Sequence, residues 1–91
     1  MVTVLVIDDS SFQRKILTGI LNENGYTVVQ SENGKEGIEH VEKERPDLIV
    51  MDLLMPEYDG YWVLGQLNAR GSTIPVIIVT SDIQGCAPII G

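Results

Sequence analysis

Apolar residues gather along this chain in four short blocks, Val2 to Ile7, Tyr26 to Gln30, Leu48 to Met51 and Pro75 to Val79. The first, third and fourth are almost unbroken aliphatic sequence without alternation and are too short for helices, the pattern of strands covered on both faces. Between the blocks the apolar spacing becomes helical. Phe12, Ile16 and Ile20, with Leu17 and Leu21, form a stripe that ends at Asn24-Gly25, and Ser10 or Ser11 is placed to cap its start. After Asn33-Gly34 a polar helix from about Lys35 to Lys43 turns Ile38 and Val41 inward, with His40 either inward beside them or, in its plainer reading, on the helix surface, and Pro46 closes the connection. Asp59-Gly60 reads as a turn and helix start, and the helix from about Tyr61 to Ala69 carries Trp62, Val63 and Leu67.

Every strand is followed by a crossover of the length that a parallel neighbour requires, so the βαβαβαβ pattern predicts a parallel sheet with helices on both faces. The pattern fails in "DIQGCAPIIG", where Gly85, Pro88 and Gly91 interrupt a helical start. The reading is therefore one α/β domain over residues 1–84 followed by an irregular apolar tail over residues 85–91.

At 91 residues, the chain buries only roughly 60 to 65% of the surface its unfolded form exposes, so marginal stability is expected. Thirteen acidic residues against six basic ones give a net charge of −7. That balance argues against direct binding to nucleic acid or to anionic membranes, and its plainest reading is a solvated surface. Cys86 is the single cysteine, which excludes an internal disulfide and a cysteine-rich metal site. The opening "MVTVLVIDDS" lacks the marks of a signal peptide and no apolar run approaches a membrane span, so a cytoplasmic location is expected.

The apolar strands end on polar groups: Asp8-Asp9 after the first, Asp52 after the third, Thr80 after the fourth. In open parallel sheets functional groups gather beyond the carboxyl ends of the strands, where strand order reverses. If the second and third strands flank the first, Asp8, Asp9 and Asp52 face one crevice across about 5 Å, one strand spacing. Carboxylates so close repel one another unless a cation lies among them, and an all-oxygen set favours a hard ion such as Mg2+. An Asp carboxylate can then act as nucleophile toward a phosphoryl donor. Each residue also has a plainer reading: Asp8 and Asp9 as helix caps, Asp52 as a turn residue, Thr80 as a β-branched strand end.

The segments "VLVIDDS", "DLIVMDLLMPEYDG" and "PVIIVTS" resemble, in order and spacing, the motifs of response-regulator receiver domains of two-component signalling. The resemblance covers residues 2 to about 84. It implies a CheY-like, flavodoxin-like doubly wound fold with strand order 2-1-3-4. It further implies Asp52 as phosphoacceptor, Mg2+ held by Asp8, Asp9, Asp52 and the backbone carbonyl of Leu54, and Thr80 as the switch hydroxyl. The phosphodonor would be a sensor histidine kinase or phosphotransfer protein.

The family's lysine and switch aromatic on a fifth strand have no counterpart here, since Lys15, Lys35 and Lys43 all precede the third strand. The family's fourth helix, fifth strand and fifth helix are replaced by the ten residues from Asp82. Phosphorylation without that fixed positive charge is expected to be weakened, and the switch impaired. The fourth strand would also be an open apolar edge, a template for pairing with another chain. A homodimer or larger oligomer is expected, with Val76, Ile78, Ile83, Ile89 and Ile90 at the interface. Two functions follow: a Mg2+-dependent phosphoacceptor in a phosphorelay, or a degenerate receiver that dimerises or binds a partner irrespective of phosphate. A phosphohydrolase on the same sheet is disfavoured because position 54 is Leu rather than a second Asp.

Overall fold

The computed structural model describes residues 1–79. In chain order the elements are β1 (Thr3–Ile7), α1 (Ser11–Glu23), β2 (Thr27–Ser31), α2 (Gly34–Glu44), β3 (Leu48–Asp52), α3 (Gly60–Ala69) and β4 (Val76–Val79). The strands form one parallel sheet in the order β2-β1-β3-β4, the flavodoxin-like arrangement expected.

Local chemistry starts each helix. Ser10 Oγ accepts the Gln13 N–H at 3.2 Å, Asn33 Oδ1 the Glu36 N–H at 2.9 Å, and Asp59 Oδ1 the Trp62 N–H at 3.0 Å. Each bond satisfies a backbone donor that the first helical turn cannot pair internally. Gly25, at φ 87°, turns the chain out of α1 and into β2. The second strand runs one residue further than its apolar block suggested, to Ser31, because register with β1 carries Ser31 opposite Ile7.

Of the unbroken apolar strands, β1 and β3 serve two faces as expected, whereas β4 leaves Ile77 and Ile78 exposed. Leu5, Ile7, Ile49 and Met51 pack with Ile38 and Val41 of α2 and Val63 and Leu67 of α3. Val4, Val6 and Val50 face the other way, against Leu17 and Leu21 of α1. The α1 stripe is narrower than its periodicity suggested: Leu17 and Leu21 reach the sheet, whereas Ile16 and Ile20 are largely exposed and Phe12 is 72% exposed. Among the described residues α1 alone packs on that face, and one helix turns only part of an apolar stripe toward a sheet. No helix among the described residues is long and apolar enough to cross a membrane.

Candidate functional site

Because Ile7 pairs with Met51 in the sheet, the next residues on both strands, Asp8 and Asp52, emerge side by side. This is the point where strand order reverses, β2 lying on one side of β1 and β3 on the other. One oxygen from each of Asp8, Asp9 and Asp52 lies within 4.8 Å of the others. Asp8 and Asp52 are 2% and 5% exposed, and Asp9 stands at the surface. Local backbone donors orient the two buried carboxylates: Ser10 N–H donates to Asp8 Oδ1 at 2.9 Å, and Leu54 N–H to Asp52 Oδ1 at 3.1 Å.

Burial pushes the Asp8 carboxyl above its ordinary range; the Ser10 N–H opposes this, while the charges of Asp52 and Asp9 add to it. Arg14 also opposes it, and its Nη1 donates to the Asp8 backbone carbonyl at 2.6 Å. An acidic cleft of about 290 Å³ opens beside the cluster, lined by Asp9, Glu32, Asn33, Pro56 and Glu57.

The donor set fits Mg2+. It is all oxygen and converges at a buried floor with one exposed member, leaving a side open to solvent. Two oxygens bound directly to one Mg2+ lie at most about 4.2 Å apart, so across the 4.8 Å limit of this cluster one carboxylate would reach the ion through a retained water. Burial first, and the neighbouring charges of Asp52 and Asp9 after it, disfavour the charged form of Asp8, and a bound cation would offset both.

The structure thus brings Asp8, Asp9 and Asp52 together. Leu54 lies in the loop immediately after β3, where its N–H serves Asp52. Thr80, Ile83, Ile89 and Ile90 lie outside the described residues. Val76 is half-buried against the core, whereas Ile78 is 41% exposed. Ile77, which the sequence reading did not single out, is 50% exposed. Sequence reasoning also missed Arg14 and the pairing of Ser31 with His40. A basic residue in the first helical turn after an acidic strand end was the available signal for Arg14; no sequence spacing joins Ser31 to His40.

A family model described as the response regulator receiver domain matches residues 4–86. Protein PilH of Pseudomonas aeruginosa is 40% identical over 86 residues, 92% of this chain and 71% of PilH. The response regulator MprA of Mycobacterium ulcerans is 39% identical over 80 residues, 88% of this chain and 34% of that protein. The receiver domain of a Francisella response regulator superposes with a TM-score of 0.84 at 30% identity, covering 90% of this chain and 68% of that one. The chemotaxis protein CheY4 of Vibrio cholerae gives 0.84 at 27% identity, over 90% and 70%.

Proposed function

The chain belongs to the response regulator receiver domain family, signalling domains rather than classical enzymes, and on that premise we propose that Asp52 is a Mg2+-dependent phosphoacceptor in a phosphorelay. The observation that carries this reading is the convergence of Asp8, Asp9 and Asp52 at the β1–β3 strand ends. An Asp52 carboxylate oxygen attacks the phosphorus of a phosphohistidine on a sensor kinase or phosphotransfer protein. The new oxygen–phosphorus bond forms as the phosphorus–nitrogen bond breaks, and the imidazole leaves. Mg2+, when bound, neutralises the converging carboxylates and the phosphoryl oxygens. Asp8, Asp9 and Asp52 would hold it, joined by the Leu54 carbonyl, and the Leu54 N–H orients the Asp52 carboxylate for in-line attack.

Thr80 is the proposed switch hydroxyl. No cation follows Arg70 in these 91 residues, so a chain of these residues alone transfers slowly and switches weakly. A cytoplasmic setting suits the proposed donors.

Intact mass after incubation with phosphoramidate and Mg2+, beside an Asp52→Asn control, tests the reading. A phosphate adduct on the wild type alone supports it. No adduct on a folded, Mg2+-binding protein removes it.

A second reading is favoured by the exposure of Ile77 and Ile78 on β4: a phosphorylation-independent pairing module. In that reading the β4 edge with Val76 and Ile78 joins a second copy of the chain; Ile83, Ile89 and Ile90, the other expected interface residues, lie outside the described residues.

A further inference from the structure

The Asp8-Asp9 corner is gripped from several directions. The Asp8 N–H donates to the Ser31 carbonyl at 3.1 Å, and its carboxylate takes the Ser10 N–H. Its own carbonyl oxygen accepts from Arg14 Nη1 at 2.6 Å. Arg14 Nε in turn donates to Gln30 Oε1 at 3.3 Å, so one guanidinium joins α1, the end of β1 and the end of β2. A carbonyl oxygen and the following amide share one rigid plane. Fixing the Asp8 oxygen therefore fixes the direction in which the backbone carries Asp9.

We propose that Arg14 is a positioning residue: it holds the Asp8–Asp9 peptide plane so that both carboxylates converge with Asp52. This inference rests on the phosphoacceptor reading above. The fork suits the task because a guanidinium offers donors in a fixed planar array, whereas an ammonium is a point charge on a flexible stem.

A positioning role and a purely electrostatic role differ in sign. A cation acting only through its charge repels Mg2+, so removing it tightens Mg2+ binding. Removing a brace loosens the site and weakens binding; loss of a group that orients metal ligands typically costs about 10- to 100-fold in affinity.

Titration calorimetry with Mg2+ at fixed ionic strength, on the wild type, Arg14→Gln, Arg14→Lys and Gln30→Ala, separates the two. Urea unfolding of each variant controls for the fold, and Gln30 is exposed, so its truncation leaves the core intact. The expected result is about 10-fold weaker binding for Arg14→Gln. Arg14→Lys is also weaker although it keeps the charge, and Gln30→Ala falls between it and the wild type. Equal or tighter binding by Arg14→Gln, or wild-type binding by Arg14→Lys, overturns the proposal. If Arg14→Gln does not fold, Arg14→Lys and Gln30→Ala decide the matter by the same criteria. A wild type with no affinity for Mg2+ removes the phosphoacceptor reading and this inference together; a binding wild type with unaffected variants removes the inference alone.

Discussion

Ser31 Oγ lies 2.7 Å from Nδ1 of His40, the single histidine of the chain. Ser31 is buried at the end of β2, and its carbonyl oxygen receives the Asp8 N–H. The pair therefore ties α2 to the strand end beside the acidic site. His40 is half-buried rather than a plain helix-surface residue, because α2 packs across β2 and brings the imidazole over the Ser31 hydroxyl.

Replacing His40 by Ala leaves the buried Ser31 hydroxyl without that partner, which costs about 1–3 kcal/mol. Urea unfolding should show this loss. The double variant Ser31→Ala with His40→Ala should lose less than the sum of the singles, since neither then abandons a polar partner. Strict additivity would remove the bond from the stability account.

Asp8 carries a sign that can be worked through. Its folded pKa is raised above the ordinary 3.8 by burial first, then by Asp52 and Asp9. Between 3.8 and the folded value the native state holds more protons than the unfolded one, so stability falls as pH rises through that window and stays low above it. In metal-free buffer at neutral pH, Asp8→Asn should therefore raise the urea midpoint, because Asn removes a buried charge that costs stability. Mg2+ at 100 times its dissociation constant should stabilise the wild type by about 2.7 kcal/mol and Asp8→Asn by much less. A lower midpoint for Asp8→Asn in metal-free buffer would show that the carboxylate is already compensated.

Gly34, the first residue of α2, sits where a Cβ would overlap the Tyr58 carbonyl oxygen and approach Val63 Cγ2 to 2.6 Å. Tyr58 itself adopts φ 51°, a left-handed conformation uncommon for an aromatic residue. Its ring meets Trp62 edge-on, the centroids 4.7 Å apart. Gly34→Ala should therefore cost about 1–3 kcal/mol by overpacking and shift the loop between β3 and α3. Urea unfolding reads the first effect and the native Trp62 emission the second. Wild-type values for both would mean that the loop yields freely.

Much of this architecture was legible because it rests on short-range signals. Unbroken aliphatic blocks such as "VTVLVI" mark doubly covered strands, and Ser10, Asn33 and Asp59 announce helix starts through their own side chains. The convergence of Asp8, Asp9 and Asp52 followed from the strand ends, which the sequence marks, and from the strand order, which only the receiver-domain resemblance implied. What stayed hidden depends on pairs distant in sequence, whose meeting is set by how layers pack. Arg14 with Gln30 and Ser31 with His40 are such pairs, and so is the failure of Phe12, Ile16 and Ile20 to find cover where Leu17 and Leu21 do.

The edge of the sheet supplies the remaining prediction. β4 pairs with β3 on one side and, among the described residues, with no strand on the other. Ile77 and Ile78 point to opposite faces there and both are exposed. An open apolar edge pairs readily with a second chain, and lysine on an edge strand is a common obstacle to that pairing. Sedimentation at micromolar concentration should find the wild type as a dimer and the double variant Ile77→Lys with Ile78→Lys as a folded monomer. A monomeric wild type would remove the pairing reading. A dimeric double variant would move the contact off β4, and Phe12→Lys on the exposed stripe of α1 would then be the substitution that separates the chains.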